Sequence, residues 1–334
     1  MAKLGKSNSL TDVGGILVGH FTDIKAVCGV TVVVCPQGAV AGVDVRGSAP
    51  GTRETDLMAP QNLIEKAQAV VLSGGSVFGL SAADGVTRWL AAEGYGFPLD
   101  QGYVVPIVPA AVLYDLGRGE EFIPPISADW GRRACERAGD YPVETGNIGA
   151  GTGAFSHSIK GGLGTASLIL DSGITVAALV AVNSDGSVIN PDSGRPWEIG
   201  LEVDGEFGHQ GQRAVQLPTP PPAEPVKNTT IGVIATDAAL LAAQAQKVAQ
   251  MAHDGMARAI RPAHTMFDGD TIFCLATGKK ELPEKQGIFS APRALALNEL
   301  GHAAANCMTR AIIHAILNAG SLAGMTAFRD LEDL

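Results

Sequence analysis

Lys227-Asn228-Thr229-Thr230-Ile231-Gly232-Val233-Ile234-Ala235-Thr236 decides how the rest of the chain is read. A proline-rich spacer, residues 218–227, ends just before Asn228 and can be neither helix nor central strand. From Thr229 onward the residues are β-branched and apolar, the pattern of a buried strand. A hydroxyl residue therefore opens a core strand directly after a semi-extended tether.

Downstream lies Thr265-Met266-Phe267-Asp268-Gly269-Asp270-Thr271, which leads into another apolar run, 271–276. A helix over about 238–258, with Asp237 as its N-cap, is expected between the two strands. Asp-Gly is a turn signal, yet turn chemistry needs one aspartate and not two around a glycine. Paired carboxylates can hold an amine or a hydroxyl and stabilise a cation beside them. Thr265 is a rival nucleophile, but it sits only three residues before Asp268 and lacks an upstream spacer.

Further out, 15–19, 29–34, 39–45, 69–73 and 174–182 read as strands. Helices are expected over 77–92, 128–138 and 294–318. The apolar segment 104–115 is broken by prolines and suits a sheet edge. Residues 146–167 are glycine-rich and carry Lys160. Asn183 ends the 174–182 strand, where an amide can form a turn or donate to a developing oxyanion. Strands alternating with helices and glycine-rich hairpins indicate a layered α/β fold with a mixed sheet, without an internal repeat or a second domain with its own core.

Composition narrows the function classes. The 334 residues carry a net charge of −10 with no basic cluster, which argues against nucleic acid. Five scattered cysteines without a C-x-x-C read as reduced thiols. The N-terminus lacks an apolar signal segment and no window approaches a membrane span, so a cytoplasmic setting and no membrane partner are expected. The seven histidines show no ligand spacing, so no metal and no cofactor are expected. Gly74-Gly75-Ser76-Val77-Phe78 misses the G-x-S-x-G elbow, and Gly149-Ala150-Gly151-Thr152-Gly153-Ala154 lacks the strand and helix of a dinucleotide site.

Two plain readings of Asn228-Thr229-Thr230 stand beside a chemical one. It fits a glycosylation sequon, and β-propensity alone explains a threonine opening a strand. The chemical reading is self-cleavage between Asn228 and Thr229. The freed α-amine, with a reference pKa of about 7.7–8.0, would then serve as base to the hydroxyl of the same residue.

At this point the residues resemble a known group. Pro50-Gly51-Thr52-Arg53-Glu54-Thr55-Asp56, Leu72-Ser73-Gly74-Gly75-Ser76, Ala111-Val112-Leu113-Tyr114-Asp115, Gly149-Ala150-Gly151, Asn228-Thr229-Thr230-Ile231 and the 264–271 segment are similar to landmarks of the L-aminopeptidase/D-esterase (DmpA-like) peptidase family. The chain also resembles that family's nylon-oligomer branch, the 6-aminohexanoate-oligomer endohydrolases. The resemblance implies a four-layer αββα sandwich of the self-processing N-terminal-nucleophile type. It implies cleavage into 1–228 and 229–334, and assembly of those pairs into a homo-oligomer, commonly a tetramer. By position it makes Thr229 the nucleophile, Asn228 the residue before the cut, and Asp268 and Asp270 the acidic pair. It places Lys160 and Asn183 near the nucleophile and Tyr114 at the substrate cleft. Aminopeptidase members often use serine, with Ser and Glu for the acidic pair, so the chain is closer to the threonine branch. The implied substrates are small peptides or amide oligomers. An acyltransferase of the ornithine acetyltransferase type and a non-catalytic ligand-binding scaffold are the competing readings.

Overall fold

The computed structural model describes residues 2–220, 228–284 and 292–334. Most of the proline-rich spacer, 221–227, lies outside the described residues.

The elements that build the sheets are β1 (Leu17–Asp23), β2 (Cys28–Val45), β3 (Lys66–Ser73), β4 (Ala110–Val112), β5 (Gly162–Ile169), β6 (Thr175–Asn183), β7 (Thr229–Ala238) and β8 (Thr271–Lys280). The helices that cover them are α1 (Ala82–Ala92), α2 (Ala128–Glu136), α3 (Ala242–Ala259) and α4 (Ala294–Asn318). One continuous ladder runs β5-β6-β7-β8-β2-β3-β4, with β1 also on β2. Short edge strands, Lys3–Leu4 and Gly51–Arg53, pair with β5 and β4.

The ladder folds into two facing layers because β2 belongs to both. Its C-terminal half pairs antiparallel with β8, and its N-terminal half pairs with β1 and β3. The sequence pattern suggested separate strands at 29–34 and 39–45. They are one strand of 18 residues, bent where the register slips between Val34 and Ala39. Pro36 lies within that slip and Gly38 takes φ +71° there. A proline cannot donate to a ladder, and the glycine adopts the left-handed backbone the bend needs.

The period-2 alternation of the strands then sorts the side chains into three cores. Val176, Ala178, Val180, Ile234, Ile272 and Cys274 point to α3 and α4. Ala177, Leu179, Ala181, Ile231, Val233, Phe273 and Leu275 point the other way, onto Val33, Val70, Leu72 and Ala111 of the second layer. Val30, Val32, Val34, Ala69 and Val71 face α1 and α2. Helix, sheet, sheet, helix is the αββα sandwich. Each fully buried Val, Leu or Ile contributes roughly 1.5–3 kcal/mol, so both faces of the strands are held by apolar burial.

One local expectation needs correcting. Asp237 does not cap α3. It remains in β7, where its carboxylate accepts the Thr175 N–H at 2.8 Å and pairs with Lys280 at 2.9 Å. The helix begins at Ala242, and Gln244 Oε1 accepts the Leu241 N–H at 2.9 Å. Ladder contacts across the sheet outweigh the local capping preference. Likewise 76–81 is 3-10 helix and α1 proper starts at Ala82.

Candidate active site

β7 and β8 are parallel neighbours joined through α3, so their first residues lie at one end of the sheet. This brings the 268–270 turn beside Thr229 across forty positions of sequence. β6 runs antiparallel to β7, with Asn183 directly opposite Thr229. Both residues share the face of Ile231 and Ala181, so both look into the space between the two sheets.

Thr229 is 5% exposed. Its hydroxyl donates to the carbonyl of Asn228, the bond before it. Its Oγ1 also accepts the Gly269 N–H at 3.2 Å. Asp270 Oδ1 accepts the Thr230 N–H at 2.8 Å, and Oδ2 accepts the His264 N–H at 3.1 Å and meets His264 Nδ1 at 2.7 Å. Asp268 Oδ2 accepts the Thr265 N–H at 2.8 Å, while its Oδ1 is buried with no hydrogen-bond partner among the described residues. Burial, then the charge of Asp270, raises the Asp268 carboxyl to about 6.

The stretch after β2 braces this turn. Arg46 N–H donates to Asp270 O at 3.0 Å and Ala49 N–H to Asp268 O at 2.9 Å. A side chain at Gly47 would put its Cβ 2.2 Å from the Asp270 nitrogen, so only glycine admits this approach.

Asn183 is fully buried. Its Oδ1 accepts the Phe155 N–H at 2.9 Å and its Nδ2 donates to the Tyr114 carbonyl at 3.1 Å. The amide thus ties the first sheet to the segment after β4 and to the glycine-rich segment. Tyr114 itself is half-buried.

Lys160 is fully buried, and its ammonium donates to the carbonyls of Gly151, Ala154 and Gly161 at 3.0, 2.9 and 2.8 Å. Burial, then the nearby Arg118 charge, lowers it to about 7. Only an ammonium has three N–H donors, so the three carbonyls favour the charged form. Lys160 therefore meets the site through the backbone it holds, next to the Phe155 N–H that binds Asn183.

Thr229, Asp268, Asp270, Asn183 and the Tyr114 backbone are brought together. The rival Thr265 serves the turn, its hydroxyl accepting the Phe267 N–H at 3.2 Å. Three participants escaped the sequence reading. His264 reaches Asp270 across a tight loop, for which no spacing rule exists. The Gly269 N–H is backbone and leaves no residue signature beyond the glycine. Asp185 Oδ1 accepts Asn228 Nδ2 at 3.1 Å, and only its place just past the Asn183 strand end hinted at it. Among the described residues no group of three or more His, Cys, Asp or Glu is gathered to hold a metal. No helix there is long and apolar enough to cross a membrane.

A buried hydroxyl against a carbonyl, addressed by the backbone N–H of a turn that carries two carboxylates, is equipment for acyl chemistry. The comparisons agree with that class. The family model for peptidase family S58 matches residues 8–329. An uncharacterized aminopeptidase of Mycobacterium tuberculosis is 47% identical over 341 residues, covering 97% of this chain and 98% of that protein. The 6-aminohexanoate-oligomer endohydrolase of Kocuria sp. is 29% identical over 325 residues, covering 93% and 86%. Among solved structures, a Burkholderia sp. beta-aminopeptidase superposes with a TM-score of 0.71 at 25% identity, over 98% of this chain and 92% of that one. The L-aminopeptidase D-Ala-esterase/amidase of Ochrobactrum anthropi, described as a variant of the Ntn hydrolase fold, gives 0.71 at 22% identity over 98% and 90%, a likeness of fold. With a family model spanning nearly its whole length and relatives almost half identical, the chain belongs to peptidase family S58 and is a peptide or amide hydrolase.

Proposed function

We propose that the chain cuts itself between Asn228 and Thr229, and that the exposed Thr229 is the nucleophile of an amide hydrolase. The observation that carries this reading is the Thr229 hydroxyl set against the Asn228 carbonyl while Gly269 N–H addresses the same oxygen. In the uncut chain Oγ1 attacks the Asn228 carbonyl carbon. The C–N bond breaks, the proton passes to the departing nitrogen, and an ester with a free α-amine results. Water hydrolyses the ester, leaving a carboxylate on Asn228 and the hydroxyl on Thr229. The products are residues 1–228 and 229–334.

In the processed enzyme the same oxygen attacks a substrate amide, and the α-amine of Thr229 takes its proton. Asp268 and Asp270 orient the residue and set the charge around it. Asn183 supplies an amide donor for the oxyanion, where one such donor is worth about 2.7–4 kcal/mol. Lys160 is a positioning residue for that amide. The names of the relatives support small peptides and linear amide oligomers, including 6-aminohexanoate oligomers, as substrates. Tyr114 borders their cleft, and processed pairs associate as a cytoplasmic homo-oligomer.

Thr229→Ala should run as one uncut, inactive chain on a denaturing gel, while wild type gives a second N-terminus reading Thr-Thr-Ile-Gly-Val. A Thr229→Ala protein that still separates into two pieces overturns the reading.

A further inference from the structure

The uncut chain is its own first substrate, and it shows where an acyl residue sits. The ester formed in the cut and the ester formed in turnover share the same oxygen, Thr229 Oγ1. The residue attached through its carbonyl is Asn228 in the first case and the substrate's acyl residue in the second. What surrounds the Asn228 side chain is therefore the acyl subsite.

That side chain ends on Asp185, whose Oδ1 accepts from Asn228 Nδ2 at 3.1 Å. Asp185 is half-buried, and among the described residues no basic side chain forms an ion pair with it. Its turn is held in place on both sides. Ser184 Oγ donates to Gly186 O at 2.7 Å and lies 2.8 Å from Ser156 Oγ. His157 N–H donates to Ser184 O at 2.9 Å, and His157 Nδ1 meets Asp185 O at 3.1 Å. Once the bond after Asn228 is cut, the new C-terminal end of 1–228 leaves the site while Asp185 stays in the fold, so this carboxylate loses the Asn228 amide and faces the substrate on rigid backbone.

Covalent geometry says which substrate nitrogen it meets. In asparagine the backbone nitrogen stands on the first carbon beyond the carbonyl, and the side-chain nitrogen stands on the third. It is the side-chain nitrogen that reaches Asp185. We propose, resting on the self-cut threonine reading above, that Asp185 is the binding residue for a protonated amine on the γ-carbon of the substrate's acyl residue. The enzyme then selects amides of γ-amino acids over those of α-amino acids.

The test compares 4-aminobutanoyl-alanine, 2-aminobutanoyl-alanine and butanoyl-alanine, reading release of free alanine by processed wild type and variants. Wild type should favour the 4-amino substrate over butanoyl by about ten- to a hundredfold in kcat/KM, the range of one hydrogen bond to a charged group. Asp185→Asn keeps an acceptor for Asn228, so it should still cut itself. Its preference should collapse to about twofold or less, mainly through KM. Asp185→Glu, which carries the carboxylate further out, should shift preference toward 3-aminobutanoyl-alanine. A processed, active wild type without the 4-amino advantage overturns the assignment, as does an Asp185→Asn enzyme that retains it. A wild type that stays uncut and inactive on all of them overturns the self-cut reading first, and this inference with it.

Discussion

The backbone N–H of Gly269 donates to the side-chain oxygen of Thr229 at 3.2 Å, and the glycine has no room for anything larger. A Cβ at 269 would lie 3.0 Å from that oxygen and 2.7 Å from the carbonyl of Ala49. Gly269→Ala must push the turn away from Thr229. Self-cleavage should slow at least about tenfold, about 1.4 kcal/mol at the barrier. A time course of band conversion on a denaturing gel checks it, and wild-type conversion in the variant would refute it.

Asp270 joins the start of β7 to His264, whose φ is +58°. The left-handed backbone tolerates asparagine better than alanine, and asparagine keeps a side-chain donor. His264→Asn should therefore retain more amidase activity and a higher Tm than His264→Ala. Asp270→Ala removes the acceptor of a buried N–H, which costs about 1–3 kcal/mol in stability. Thermal denaturation ranks the three, and the reverse order for the two His264 variants would count against this role.

Lys160 holds three carbonyls of the segment that presents the Phe155 N–H to Asn183. Lys160→Met keeps the apolar stem and removes every donor. Three buried carbonyls lose the ammonium, and those of Gly151 and Ala154 keep one backbone N–H each, at 3.3 and 2.9 Å, so a stability loss of about 1–3 kcal/mol is expected, along with slowed cleavage. Urea denaturation measures the first and gel conversion the second.

The Asp268 carboxyl, raised to about 6 from 3.8, makes folding pH-dependent. Between these values the folded chain binds more protons than the unfolded chain, so this group's contribution to stability falls as pH rises through that window. Asp268→Asn cannot ionise. Its stability relative to wild type should therefore improve between pH 4 and about 6 and level off above, as urea midpoints across that range would show.

Away from the site, Arg310 is 1% exposed and bound through two nitrogens to Glu206, which also meets His314. Burial alone would raise Glu206, but its hydrogen bonds from His314 and Arg310 bring it down to about 2. That contribution is present above the ordinary carboxylate range and is lost as pH falls toward 2. Glu206→Ala leaves the guanidinium buried without its carboxylate and should cost about 3–5 kcal/mol, seen as a lower urea midpoint.

Local pattern carried much of this fold. The β-branched run after Asn228 is a core strand, and the apolar pattern around 294–318 is the long helix α4, because burial periodicity survives in sequence. What misled was local preference against tertiary demand. Asp237 has a capping residue's chemistry, yet the Thr175 N–H across the sheet claimed its carboxylate. The pieces 29–34 and 39–45 were legible as strands. Their union in one bent strand was not, since a bend inside a ladder and a loop between two strands share the same Pro and Gly signals.

Sequence alone determined the kinds of group available: a threonine at a strand start, two acids around a glycine, an amide at a strand end and a lysine among glycines. Only the tertiary structure decided which of them meet. Parallel pairing of β7 with β8 and antiparallel pairing of β6 with β7 set Thr229 beside Gly269 and opposite Asn183. Such contacts depend on ladder register between segments far apart in the chain, and register is fixed by burial of whole faces, which no local spacing encodes.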